Sequence, residues 1–155
     1  MEQLGASVIP DLMLEETRWV RKEKFPADRH AAGNTLRFTR LYLHADLEHV
    51  LVDIEDAAVA GGVLMANAIV HSRVPAHARI AVQWALVKSG VVVIQVRDSL
   101  RDFPDFDEVM KWEPSEGERP RGLWTARRLG AEIAYAPVDD GKIVQAVIKP
   151  RALPV

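Results

Sequence analysis

Cysteine is absent from the 155 residues, which removes disulfides, thiolate metal sites and cysteine nucleophiles together and suits a reducing compartment. Charge of one sign is absent too. The 20 Lys and Arg face 22 Asp and Glu, a net charge of -2 at pH 7 with His neutral, so there is no electrostatic footprint for nucleic acid. The longest apolar run, around Val59 to Val70, is broken by Gly and Asn and is too short to span a bilayer. Met1-Glu2-Gln3 lacks the basic start of a secretion signal, so the expected location is the cytoplasm, with no membrane partner. His30, His44, His49 and His77 share no zinc-ligand spacing. No repeat or low-complexity tract occurs.

A hydrophobic content of 48% is present and is enough for the core of one ordinary domain. Residues 1–16 follow neither the helical nor the strand period and are set apart as an N-terminal extension. The domain is expected over 17–150, with 151–155 as a tail. Thr17 to Phe25 mixes β-favouring residues with charges and stops at Pro26, the pattern of a short edge strand. Ala27 to Ala45 has the spacing of an amphipathic helix, weakened early by Gly33-Asn34. A second helix is expected from about Leu47 to His71, ended by Pro75. Its small residues Ala57, Ala58, Ala60, Gly61 and Gly62 imply close approach of either another backbone or a ligand.

Ala78 to Val87 and Val91 to Arg97, joined by Lys88-Ser89-Gly90, read as a β-hairpin. Its second strand is almost wholly β-branched, as in a central strand, and ends at Asp98. From Ser99 to Arg121 periodicity fails and prolines and acids gather, which predicts a long loop of the lid type. A short helix around Arg121 to Leu129, capped by Gly130, precedes a last hairpin of Ala131 to Pro137 and Lys142 to Lys149. Strands meeting through hairpins, with helices entering between them, predict an α+β fold. It is a two-layer α/β sandwich with a mixed, mostly antiparallel sheet and helices on one face. Trp19, Trp84, Trp112 and Trp124 are expected in packing rather than on a base-stacking platform, because no basic track accompanies them.

The chemically loaded stretch is Val59 to Ser72, where Asn67 and His71 stand four apart and project from one helical stripe. His71 suits the helix C-terminus, where positive charge is favoured. One turn before Asn67, on the same stripe, is Val63.

Four landmarks in order carry a family resemblance: Asn67-Ala68-Ile69-Val70-His71, Val96-Arg97-Asp98, Arg121-Gly122-Leu123-Trp124 and Gly141-Lys142-Ile143-Val144. From about Phe25 to Lys149 the chain resembles the GHKL, or histidine-kinase-like, ATPase domain (Bergerat-type fold) of histidine kinases, type II topoisomerases and heat-shock chaperones. Within that family it looks most like the small anti-sigma-factor serine kinases of actinobacterial partner-switching systems. The resemblance implies ATP or ADP with Mg²⁺ as cofactor. Asn67 would be the metal's protein ligand, Asp98 would accept the adenine amino group, and backbone N–H groups of Arg121, Gly122 and Leu123 would face the phosphates. The loop from Ser99 to Pro120 would be the lid.

Three departures accompany the match. Val63 stands where the family carries its general-base glutamate, and valine takes no proton. Pro120 replaces a glycine of the phosphate loop and removes an N–H donor. Leu100 and Ile143 would crowd the adenine pocket. The resemblance, with these departures, implies a regulatory protein that binds a sigma factor or a STAS-domain antagonist, forms a homodimer as relatives do, and has weak or no kinase activity. The alternatives are an active serine kinase or ATPase and an interaction module that binds no nucleotide.

Overall fold

The run Val91 to Val96, β-branched except for Gln95, fills the middle of the sheet, where a strand paired on both sides buries most of its side chains. In the computed structural model, which describes residues 17–72, 78–99, 106–118 and 122–150 (the side chains of His71 and Ser72 excepted), this run is β3 (Val92–Asp98). The other strands are β1 (Thr17–Pro26), β2 (Arg79–Val87), β4 (Glu132–Val138) and β5 (Gly141–Ile148), and the sheet order is β1-β2-β3-β5-β4. All four pairings are antiparallel, so the sheet has no parallel component among the described residues. β1 is the expected edge strand and ends at Pro26, where the missing N–H costs no ladder bond.

The helices are α1 (Ala31–His44), α2 (Ile54–Ser72), α3 (Phe106–Lys111) and α4 (Leu123–Arg128). α2 lies against β3 and β5, α1 lies against β1, and the main core forms between them and the sheet around Trp84, Leu64, Met65, Ile94 and Leu123. This is the two-layer α+β sandwich expected. Alternation along the strands turns Val82, Trp84, Ile94, Val96 and Val144 to the helices. Ala85, Val87 and Val93 form a second apolar cluster on the opposite face.

Both long helices start later than their apolar periodicity suggests, and local polar groups are the reason. The Asp28 carboxylate accepts the His30 N–H at 2.8 Å, so α1 opens at Ala31 instead of Ala27. The Asp53 carboxylate accepts the Asp56 N–H at 3.0 Å and caps α2, which opens at Ile54 instead of Leu47. Between the helices, Asp46 binds the Trp19 indole N–H at 3.0 Å and His49 Nδ1 at 2.8 Å. The His49 bond, then the Trp19 bond, holds the Asp46 carboxyl below the usual carboxylate range.

The small residues of α2 serve helix packing. A Cβ on Gly61 would lie 2.8 Å from Thr39 Oγ1, and one on Gly62 would lie 3.3 Å from the Ala32 carbonyl oxygen. Thr39 has no room to move: its hydroxyl donates to the Thr35 carbonyl at 2.7 Å and accepts the Trp84 indole N–H at 2.8 Å. Gly61→Ala is therefore expected to cost about 1–2 kcal/mol net, overpacking outweighing the gain in helix propensity. Gly33→Ala, whose nearest neighbour is the flexible Arg37 guanidinium at 3.6 Å, should gain up to about 1 kcal/mol. Urea denaturation of both variants checks the contrast.

Tyr42 lies half-buried against Trp84, with ring centroids 5.1 Å apart, and donates to Glu23 at 2.6 Å. Burial first, then that bond, pushes its phenol up from 10.0 to about 12. The folded state thus favours the protonated phenol more than the unfolded chain does. That contribution is complete below pH 10 and disappears as the pH rises toward 12. Tyr42→Phe should flatten the fall in stability over this window, measured by denaturation at stepped pH.

The long segment after β3 contains a helix that loop composition hides. Phe106, Val109 and Met110 stand at positions i, i+3 and i+4 and pack on the core, and the Phe106 ring lies 4.8 Å from Tyr135. Trp112 meets Trp124 edge-on with centroids 6.3 Å apart, and Arg127 donates to the Met110 carbonyl, which ties this segment to α4. Leu100 and Phe103 lie outside the described residues, as do Pro120 and Arg121.

Candidate functional site

The expected site lies where α2, α4 and the ends of β3 and β5 meet on the helix-covered side of the sheet. α2 brings in Asn67, 7% exposed, whose side-chain oxygen has no hydrogen-bond partner among the described residues. A buried amide oxygen left unpaired costs free energy, so it marks a place for an outside donor or cation. Val63, one turn earlier, is half-buried and packs on the core. Its neighbours on the stripe are Val59, Ala66 and Asn67, and none carries a titratable proton acceptor.

α4 packs against α2. It opens on Gly122, which has φ 64 and ψ -155, a conformation that L side chains avoid. The Leu123 side chain is buried in the core, so only its main chain is placed for a ligand. Gly130, at φ 97, follows the helix as its sequence predicts. Arg121, the third member of this set, falls outside the described residues.

Asp98 closes β3 with 1% of its side chain exposed, directly across from Lys142 at the start of β5. The Lys142 ammonium, 3% exposed, lies 3.0 Å from each carboxylate oxygen and donates to Oδ1. Sequence reasoning missed Lys142 as a partner, although it lies within one of the four landmarks. Counting from the Asp139-Asp140-Gly141 turn places it on a strand, but the register that sets it opposite Asp98 is a pairing 44 residues apart in sequence. Gly141 allows that register, since a Cβ there would lie 1.8 Å from the Asp98 carbonyl oxygen.

Ile143 was expected to crowd the base pocket. It does not, because it follows Lys142 on the strand and faces the other side of the sheet, beside Gln95 and Arg97. His71 keeps its place at the end of α2, with its side chain outside the described set. Among the described residues, no group of three His, Cys, Asp or Glu could hold a metal ion. No described helix is long and apolar enough to cross a membrane.

No protein-family model matches the chain, and no curated protein does. Solved structures match it. The crystal structure of the RsbU and RsbW domains of Rv1364c from Mycobacterium tuberculosis superposes over 83% of this chain with a TM-score of 0.55 and 20% identity. The chain spans about a third of that protein's length, 32%. The histidine kinase domain of a blue-light-activated kinase from Erythrobacter litoralis matches over 77% of this chain and 61% of its own length, with a TM-score of 0.44 and 19% identity. At such identities the likeness to the structure containing the RsbW domain is one of fold, the two-layer α+β sandwich.

Against a magnesium nucleotide, the two ends of the site behave differently. The orphaned Asn67 oxygen fits a hard cation that takes few protein ligands. At the base end the Lys142 ammonium neutralises Asp98, so an adenine amino group would have to share that carboxylate with Lys142. Val63 itself takes no proton, and Lys142 competes with any other donor for Asp98.

Proposed function

We propose that this chain is a cytoplasmic regulatory protein of the anti-sigma-factor type, of the kind found in partner-switching systems. It acts by binding a sigma factor or a STAS-domain antagonist, and it has lost phosphotransfer. The observation that carries the reading is Val63. It stands one helical turn before Asn67, in the position the resembled family gives to its general base, and it packs into the core on a stripe without a carboxylate. Without a base the attacking hydroxyl keeps its proton, and a contribution of about 10²–10⁴ to the rate is lost. The kept scaffold leaves surfaces for protein binding, and possession of a dimer interface belongs to the same proposal.

Titration of the purified chain against sigma factors and STAS-domain proteins, with and without Mg-ATP, tests this. A stoichiometric complex with one of them, formed without nucleotide, is expected. Binding to neither class would overturn the reading. Val63→Glu separates a missing base from a wider loss. Phosphotransfer by the variant should stay within about tenfold of background, because the base end is still held by Lys142, whereas a gain of about 10²–10⁴ would show a pocket lacking only its proton acceptor.

A second reading, an interaction module that binds no nucleotide, is favoured by the Asp98–Lys142 pair. Thermal unfolding with Mg-ATP distinguishes it. A ligand present at a hundred times its dissociation constant stabilises the native state by about 2.7 kcal/mol, and this module would show no shift.

A further inference from the structure

On the sheet face turned away from the helices lies a groove of about 460 Å³ that the nucleotide reading does not use. Its floor is set by the register. Lys24, Ala81 and Arg97 lie side by side on β1, β2 and β3, and the row beside them is Lys22, Gln83 and Gln95. A short side chain between two long ones leaves a hollow. The Cα atoms of Lys24 and Arg97 are two strand spacings apart, about 9–10 Å, so both cationic heads reach one group seated over Ala81.

Three features point to an anion with an apolar body. First, the groove's charge is positive. Neither Lys22 nor Lys24 has a carboxylate partner among the described residues, and Glu23 between them turns to the other face to meet Tyr42. The acid nearest Arg97 is Asp140, at 2.5 Å and with its side chain 80% exposed, and such a pair is readily exchanged. Second, Gln95, 7% exposed, lies under the groove in the row next to Arg97, and its side-chain N–H₂ lacks an acceptor among the described residues, as the Oε1 of its cross-strand neighbour Gln145 lacks a donor, which leaves unsatisfied amide polarity beneath the two cations. Third, the remaining wall is apolar: Ile143 and Ala81, extended by the methylene stems of the lysines. The volume is that of a small-molecule pocket, mostly apolar with a few convergent polar groups.

We infer that this groove is a binding site for a small amphipathic carboxylate, its carboxylate held between Lys24 and Arg97 over Ala81 and its apolar part laid toward Ile143. The site is separated from Asn67 and Asp98 by the sheet, so its ligand reaches the chain whether or not nucleotide does.

Octanoate is the probe, titrated into the isotopically labelled full chain while amide resonances are followed. Saturable shifts centred on the Gln95 side-chain amide and on the backbone of Ala81 and Arg97 are expected. The double variant Lys24→Gln/Arg97→Gln and the hollow-filling Ala81→Leu should each weaken binding about tenfold or more, with resonances of the helix-facing core unchanged. Octan-1-ol and inorganic phosphate at matched ionic strength should bind about tenfold or more weaker than octanoate. Absence of saturable shifts at these residues, undiminished binding by the charge variant, or phosphate binding as tight as octanoate would each overturn the assignment.

Discussion

Lys142→Met should unfold far more easily than the parent, by about 3–5 kcal/mol, because it takes the paired ammonium away from the buried Asp98 carboxylate. The loss reflects a stranded ion and not the net worth of the pair, since bringing both charges out of water costs nearly as much as their attraction returns. Asp98→Asn in the same chain removes the stranded charge, so the double variant should regain most of the loss. Guanidinium denaturation of the two single variants and the double variant closes the cycle and gives the coupling directly. If the single variant lost less than about 1 kcal/mol, the value of an exposed pair, the ammonium would not be holding Asp98.

Gly141→Ala should cost about 3 kcal/mol, the upper end of overpacking, because the atom it meets belongs to main chain and cannot rotate aside. The new Cβ would stand 1.8 Å from the Asp98 carbonyl oxygen, so β3 and β5 must separate at the end of the sheet that positions Asp98 and Lys142. Shifts confined to residues 96–99 and 140–144 in amide spectra should accompany the loss. A stable variant with an unchanged spectrum at Asp98 would contradict the register.

Much of the fold was legible because its determinants are local. The β-branched run at β3, the charged edge strand stopping at Pro26, the Gly130 cap and the Asp139-Asp140-Gly141 turn each carry a backbone preference readable without the rest of the chain. Helix starts were placed too early, since apolar spacing continues through Leu47 and Val50 while Asp53 fixes the first turn by bonding the Asp56 N–H. α3 went unread because six residues are too few to show a period amid prolines and acids, and its stability comes from Phe106 resting on Tyr135, a contact 29 residues away in sequence.

The site was legible as residue types and not as pairings. Asn67 and Asp98 sit on the helix-covered side of the sheet. Whether Lys142 or Ile143 faced Asp98 depended on a register that no local pattern sets, and a shift of one residue exchanges the two faces. That one-residue difference turns Ile143 to the groove on the far side, and puts the Lys142 ammonium beside Asp98.

The proposed loss of phosphotransfer is tested most directly by incubating the intact chain with labelled Mg-ATP and STAS-domain antagonists and following label on serine. The result expected is incorporation no greater than in a control lacking the chain, while a partner still co-elutes. Robust, chain-dependent transfer to a serine would contradict it, and would require a proton acceptor other than residue 63.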